Sequence, residues 1–140
     1  MITELATRGP LLDAALTERE TLQRQPAGNI LFDEGQQPRG IYLVHSGAIE
    51  LLFRTGNGEL KRVRAGGVGE ILGLGSVVSC RPHEYTARAV TTCELGFIDK
   101  ESFLQVLDEH PAIWFSVLRF LSQDVNASYD SLRAGADARV

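Results

Sequence analysis

Apolar residues near the start of the chain recur at a spacing typical of an α-helix. The apolar positions of residues 10–24 are Leu11, Leu12, Ala15, Leu16 and Leu22. They lie near one face of a helix with about 3.6 residues per turn. Pro10 suits a first helical turn, and Pro26-Ala27-Gly28 is a stop signal. The pattern predicts a short amphipathic helix over residues 10–24.

From residue 29 to residue 99 the pattern changes to short runs of β-forming residues separated by glycine turns. The predicted strands cover residues 40–45, 48–53, 60–64, 85–90 and 94–98. Ser46-Gly47 and residues 55–59 are predicted hairpin turns because glycine and asparagine accept positive φ, and residues 65–69 are a predicted flexible turn. Short strands joined by tight turns indicate an antiparallel β-roll or sandwich.

Two helices are predicted after the strands. The first covers residues 99–107, and residues 108–111 break it before a longer helix over residues 112–132. The apolar residues of the longer helix that share one side are Trp114, Val117, Leu118, Leu121, Val125 and Leu132. Leu118, Leu121, Val125 and Leu132 follow a heptad with Ser128 as its polar interruption. One interpretation is a helix that lies on its own β-roll, and the other, which we favour for its distal half, is a parallel dimer.

Composition limits the function further. The chain has 140 residues, a net charge of −4 and two cysteines, which fits one domain in a reducing cytoplasm. It lacks the basic excess of a nucleic-acid-binding domain and has neither a visible export signal nor an apolar run of about 18 residues. We therefore expect a cytoplasmic protein that neither spans a membrane nor binds DNA through this segment.

No motif indicates catalysis. The chain has no GxSxG elbow, HExxH helix or Walker loop, and Gly73-Leu74-Gly75 lacks the third glycine of a dinucleotide-binding turn. His45 and His110 lie far from other ligand types, so no metal site is predicted. The sequence predicts a protein that is not an enzyme and needs no cofactor.

Three motifs, in order, resemble the cyclic-nucleotide-binding domain of the Crp/Fnr (catabolite activator) regulator superfamily. They are a strand with a glycine turn at residues 30–36, a hairpin at residues 41–49, and the approach Gly69-Glu70-Ile71-Leu72-Gly73. Gly35, Gly47 and Gly73 stand where this fold needs unusual backbone angles. The resemblance covers nearly the whole chain. It implies a mainly β fold with flanking helices, an antiparallel double-stranded β-helix of jelly-roll type, and a long C-terminal dimerisation helix.

The resemblance also implies a phosphate-binding cassette over residues 73–86. In nucleotide-binding members a glutamate holds the ribose, and ten positions after the glycine an arginine, followed by a small residue, pairs with the phosphate. Counting from Gly73 places Leu74, His83 and Glu84 at these three positions, while Pro82 and Thr86 match common neighbours. Neutral imidazole lacks the planar, permanently charged fork of arginine, and Glu84 would repel a phosphate. We therefore do not expect cyclic AMP or cyclic GMP to bind in the usual manner.

Several details of the cassette stay open at this stage. The effector-pocket candidates are Gly73, Leu74, Gly75, Ser76, His83, Glu84, Tyr85, Thr86 and Arg88. Pairing Gly69-Glu70 with the family's glycine and glutamate still leaves no arginine before Thr86 except Arg81. Arg88 follows on the next strand, where it faces either inward, so that it restores anion binding, or outward into solvent.

Cys80 and His83 also suggest a redox or haem site, because related regulators use such residues as axial ligands. A lone loop histidine is more often a surface residue, and Cys80 is either a thiol sensor or an unreactive loop cysteine. Cys93 is expected to pack where strands meet.

The sequence thus predicts an effector-sensing β-roll domain with an N-terminal helix at residues 1–110, a dimerisation helix at 111–134 and a tail at 135–140. Its function is predicted to be that of a Crp/Fnr-type regulator with a degenerate pocket, an unknown effector and a DNA-binding domain outside this chain. One alternative is a ligand-free protein-interaction domain whose pocket is closed by Leu74, Glu84 and Tyr85. Another is a weak, non-standard nucleotide or anion binder.

Overall fold

The computed structural model describes residues 10–114 and 117, with side chains from residue 14 onward. Its helices are α1 (Pro10–Arg19), α2 (Leu74–Ser79) and α3 (Lys100–Glu109). Its strands are β1 (Thr21–Gln25), β2 (Ile30–Phe32), β3 (Gly40–Ser46), β4 (Ile49–Arg54), β5 (Leu60–Gly66), β6 (Ile71–Leu72), β7 (Thr86–Ala89) and β8 (Cys93–Asp99). The fold is mainly β with flanking helices, as predicted.

The strands form two antiparallel sheets of four strands each. The first sheet has the order β1-β8-β3-β6, and the second has the order β2-β7-β4-β5. Consecutive strands often belong to different sheets, so the chain crosses repeatedly between them, as a jelly roll requires. The predicted strands are confirmed, with ends that differ by one or two residues.

The central strands of the first sheet, β8 and β3, contribute buried residues to both of its faces. On β3, Ile41 and Leu43 join a cluster that includes residues of all three helices. Val44, on the alternate face of the same strand, packs with residues of the second sheet. Because side chains alternate along a strand, one sheet separates the two cores. The cassette lies at the end of this sheet, where β6 leads into α2.

The N-terminal prediction was wrong in one respect. The helix ends at Arg19, and residues 21–25 form β1, which pairs with β8. Leu22, which fitted the helical spacing, is 72% exposed. Glu20 lies between the two elements, and both oxygens of its carboxylate contact His45 Nε2, at 3.0 and 2.8 Å. This contact joins the start of β1 to β3.

Hydrogen bonds and ion pairs fix the flanking helices. The Asp99 side chain accepts from the Ser102 main-chain N–H at 3.1 Å and from the Ser102 hydroxyl at 2.7 Å, which caps α3. These bonds hold the pKa of the Asp99 carboxyl below its usual value. Arg19 at the end of α1 pairs with Glu109 at the end of α3, 2.8 Å apart. The two helices are therefore tied together on one side of the roll.

Ile113 and Val117 are buried in the helix-side cluster, and Trp114 packs partly against it. The other predicted dimer positions, Leu118, Leu121, Val125 and Leu132, lie outside the described residues, as does the predicted tail. In the part of the chain that the structure describes, no helix has the length and apolarity to cross a membrane.

Candidate functional site

Gly73 opens the cassette in the backbone conformation that the sequence predicts. Its φ is +85°, and Gly35 and Gly47 also have positive φ, +85° and +95°. Gly73 follows β6 and is the N-cap of α2. A Cβ on Gly73 would lie 3.2 Å from the Gly40 carbonyl oxygen and 3.3 Å from Cε1 of His83. This glycine therefore permits both the turn and the close approach of the histidine ring.

Leu74, at the position of the family's glutamate, belongs to the helix-side core. It is 3% exposed and packs in the cluster with Ile41 and Val77. Gly75 and Ser76, two further candidates, are half-buried on α2. The Ser76 carbonyl accepts the main-chain N–H of Arg81 at 3.1 Å where the helix ends. Leu74 is thus a residue of the helix-side core.

His83 occupies the position of the phosphate-binding arginine and is buried, with only 4% of its surface exposed. Its ring stacks on that of Phe32, with centroids 3.8 Å apart and an interplanar angle of 17°. Burial lowers the pKa of the imidazole from 6.5 to about 4, so the ring is neutral at pH 7. The interpretation of His83 as a surface residue was wrong because Phe32 gives it an apolar partner from another strand.

Phe32 is the centre of a larger group of rings. Its centroid lies 6.0 Å from that of Tyr42 and 5.6 Å from that of Tyr85. Tyr42 in turn lies 5.0 Å from Phe97, and its hydroxyl donates to the Leu31 carbonyl at 3.4 Å. Burial raises the pKa of the Tyr42 phenol, an effect that the charge of Arg39 partly offsets. We name the rings of Phe32, Tyr42, His83, Tyr85 and Phe97 the aromatic cluster.

The glycine turn after β2 holds the cassette in place. The Gly35 N–H donates to the His83 carbonyl at 2.8 Å, and the His83 N–H donates to the Gln36 carbonyl at 3.0 Å. The Glu34 N–H donates to the hydroxyl of buried Thr86 at 3.0 Å. Glu34 also accepts the N–H of Arg54 at 2.7 Å through its carboxylate. The turn thus links the cassette to the end of β4.

Arg88 faces away from the space between the sheets. Its neighbours Ala87 and Ala89 join the core between the sheets, so Arg88 lies on the opposite face of β7. There its Nε donates to the Glu50 carboxylate at 2.7 Å, and its Nη2 contacts the same oxygen. Glu50 is its direct cross-strand neighbour on β4. The structure therefore selects the outward orientation that the sequence left open, with an ion pair in addition.

The remaining charged candidates also lie outside the aromatic cluster. Arg81 and Glu84 are exposed. Glu70, the glutamate of the shifted alignment, contacts Arg64 through both carboxylate oxygens at 2.9 Å. Among the described residues, the buried polar side chains are those of His83 and Thr86. No side chain of Asp, Glu, Lys or Arg in that part of the chain is therefore buried beside His83.

The cysteines differ sharply in environment. Cys93 is fully buried between the sheets, as predicted, and burial raises the pKa of its thiol. Cys80 is exposed and takes a φ of +56° where α2 ends. Among residues 10–114 and 117, no group of three or more His, Cys, Asp or Glu is placed to hold a metal ion.

The sequence analysis missed Phe32 and Tyr42 as parts of the site. Both stand in motifs that it identified, at residues 30–36 and 41–49. Phe32 precedes the glycine turn directly, and strand alternation opposite Ile41 and Leu43 would have placed Tyr42 on the inner face. The sequence therefore contained a signal for both rings, but only the arrangement of the two sheets shows that the rings meet.

Comparison with known proteins gives the same picture of the fold. The catabolite activator protein of Thermus thermophilus has a TM-score of 0.78 and 22% identity over 95% of this chain and 62% of its own. The sensor domain of the transcriptional regulator DNR from Pseudomonas aeruginosa has a TM-score of 0.69 and 19% identity, over 91% of this chain and 85% of its own. These likenesses show the fold.

A curated relative, patatin-like phospholipase domain-containing protein 6 of Pongo abelii, is 23% identical over 107 residues. The match covers 76% of this chain but only 8% of that protein. The family model of the cyclic nucleotide-binding domain matches residues 22–110. With its two-sheet roll and its cassette between β6 and β7, the chain belongs to the cyclic nucleotide-binding domain family.

Proposed function

We propose that this chain is the effector-sensing domain of a cytoplasmic Crp/Fnr-type transcription regulator, with a cassette that does not bind cyclic nucleotides in the usual mode. The burial of His83 against Phe32 carries the proposal. A neutral, stacked imidazole stands where the family places an arginine. The cassette therefore keeps its backbone form but has lost its charge.

The energetic argument concerns the phosphate charge. A cyclic phosphate that enters this site leaves water without gaining a buried cationic partner, because Arg88 already pairs with Glu50 on the outer face and both Arg39 and Arg81 are exposed. Loss of one charge-assisted hydrogen bond costs about 1.5–3 kcal/mol, and a buried charge without a partner costs more. We expect affinity for cyclic AMP to fall well below that of a site with both anchors.

Isothermal titration calorimetry with cyclic AMP and cyclic GMP tests this proposal. We expect no saturable binding to the wild-type chain at micromolar nucleotide. Micromolar affinity for either nucleotide would refute it. The Arg88→Gln variant is the matched control, since weak binding that disappears in this variant would favour the alternative of a non-standard anion binder.

The proposed output is regulation of transcription through a DNA-binding domain outside this chain. In this mechanism, effector binding at residues 74–86 shifts the population of cassette positions and reorients the DNA-binding domains. The similar catabolite activator chain is longer, since this chain covers 62% of it. Sequencing the gene beyond the codon for Val140 tests the point, and a gene that ends there would refute it.

The proposal includes a homodimer formed by the helix predicted over residues 111–134. Its support is the heptad spacing of Leu118, Leu121, Val125 and Leu132. In light scattering, we expect Leu121→Asp to halve the mass of the particle, whereas Gln123→Asp, off the heptad seam, leaves it unchanged. An intact dimer in the Leu121→Asp variant would refute the proposed seam.

The second candidate function is a protein-interaction domain that takes no effector. The observation in its favour is that the aromatic cluster already occupies the space beside the cassette, with Phe32 only 3% exposed. A thermal-shift screen distinguishes the two functions, because an effector that binds only the folded protein stabilises it by RT ln(1 + [L]/Kd) and so raises the melting temperature. Stabilisation by any small molecule that displaces the His83 ring from Phe32 favours the effector-sensing function.

A further inference from the structure

The inner side of the cassette is lined by closely packed aromatic rings without formal charge, and Phe32 is buried under the His83 ring. Phe32 presents one face to the His83 ring, at 3.8 Å, and the rings of Tyr42 and Tyr85 lie around it at 6.0 and 5.6 Å. Aromatic side chains supply large, flat contact surfaces, and tyrosine adds a polar edge. This composition matches a planar ligand better than a phosphate sugar.

The charges near the cassette point away from this surface. Arg88 is engaged with Glu50 on the outer face of the second sheet, while Arg81 and Glu84 are exposed. Arg39, whose charge acts on the Tyr42 phenol, is also exposed. A charged ligand on Phe32 would therefore lose hydration without a buried charged partner. A neutral ligand would avoid the free-energy cost of burying a charge.

The His83 ring contacts Phe32 through a face-to-face stack, which another planar ring can also form. The residue lies in the loop between α2 and β7, outside regular secondary structure. Two main-chain hydrogen bonds join it to Gly35 and Gln36, and its imidazole packs face to face with Phe32. An incoming planar ring would replace that stack while the histidine moved into water, where it can be solvated.

We propose that the cassette binds an uncharged, planar aromatic ligand, which stacks on Phe32 in place of the His83 ring. The inference rests on the proposed effector-sensing function and specifies the chemical class of the effector. Displacing His83 would pull on the turn at residues 33–36, because His83 and Thr86 both bond to it. The Glu34 contact with the Arg54 N–H would carry the movement to β4.

Nuclear magnetic resonance titration of the 140-residue chain with benzamide tests the proposal. We expect saturable shifts of the Phe32 ring signals, and we expect the pKa of His83 to rise from about 4 towards 6.5 as its ring enters solvent. Benzoate has the same shape but a negative charge, and it should bind roughly ten-fold or more weakly. Cyclohexanecarboxamide, which has the same amide but no planar ring, should bind as weakly.

Two variants locate the site. His83→Ala removes the competing ring, so benzamide affinity should increase roughly ten-fold, since the protein no longer has to open before binding. Phe32→Leu removes the stacking surface and should abolish binding. Phe103→Leu, the same change in the helix-side core rather than in the aromatic cluster, is the matched control and should retain binding.

Failure of this inference can be distinguished from failure of the proposed function. One outcome is that benzamide binds His83→Ala but causes no resonance shifts in the wild-type chain at its solubility limit. In that case the His83 ring does not leave Phe32, and the inference is overturned. The exclusion of cyclic nucleotides then still stands. Equal binding of benzamide and benzoate, or binding that persists in Phe32→Leu, also overturns the inference. Cyclic AMP bound with micromolar affinity overturns the proposed function itself.

Discussion

Gly73 and His83 approach so closely that a Cβ on Gly73 would make a tight contact with the His83 ring. A Cβ on Gly73 would be 3.3 Å from His83 Cε1 and 3.2 Å from the Gly40 carbonyl oxygen. The φ of +85° at Gly73 adds a conformational cost for any other residue. The entry to α2 and the burial of His83 therefore depend on the same glycine.

The Gly73→Ala variant should lose about 1–2 kcal/mol of unfolding free energy from the left-handed backbone alone. Displacement of His83 should add to this loss. Gly56→Ala is the matched control because a Cβ there meets nothing within 4 Å, and it should change stability by less than about 0.5 kcal/mol. Urea unfolding measures both values, and equal stability of the two variants would contradict the role of Gly73.

The buried imidazole of His83 predicts a loss of stability in acid. Its pKa is about 4 in the folded protein, against 6.5 for the free group. Between these values the unfolded chain binds a proton that the folded protein does not, so stability is full above pH 6.5 and falls as the pH drops through about 4. At about 1.4 kcal/mol per pKa unit, the total loss is about 3 kcal/mol.

Urea unfolding of the wild type and of His83→Phe across this pH range measures the effect. Phenylalanine keeps the stack on Phe32 but has no proton to bind. The stability difference between the two proteins should therefore change with pH in favour of the variant as the solution becomes acidic. Parallel pH profiles would show that His83 does not titrate as its burial implies.

The cap of α3 predicts a local stability effect. Asp99→Ala removes the acceptor for the Ser102 main-chain N–H, and it should cost about 1 kcal/mol. Asp108→Ala is the control, since Asp108 is exposed near the C-terminal end of the same helix, where a negative charge is unfavourable. It should leave stability unchanged or raise it, as thermal unfolding can measure.

The Glu50 and Arg88 pair should contribute little to stability despite its close contact. Arg88 has 36% of its side chain exposed, and ion pairs open to solvent contribute about 0.2–1 kcal/mol. A double-mutant cycle with Glu50→Gln and Arg88→Gln measures the coupling. A coupling well above 1 kcal/mol, or one that molar salt leaves unchanged, would contradict this prediction.

Local patterns predicted the strands and the turn glycines because both depend on neighbouring residues. They failed at residues 21–25, where Leu22 fitted a helical period but is exposed on β1. Only the pairing with β8 decides that segment, and a Cβ at Gly96 on β8 would overlap the Glu20 carboxylate. Such a contact joins residues far apart in the chain, which a local pattern does not record.

The candidate site shows the same limit of local sequence patterns. The sequence showed that His83 replaces an arginine, but its burial depends on Phe32, some fifty residues earlier. The orientation of Arg88 likewise depends on Glu50, which faces it from β4. The sequence thus sufficed to show which residues occupy the cassette positions. It did not show which residues of other strands contact them.

The contrast between the two thiols provides a practical means of observing the cassette. Cys80 is exposed three residues before His83, whereas Cys93 is fully buried. A maleimide fluorophore should therefore label the wild-type chain at one position, beside the loop that must move, without removal of the other cysteine. Emission from that dye would report the opening of the cassette in real time.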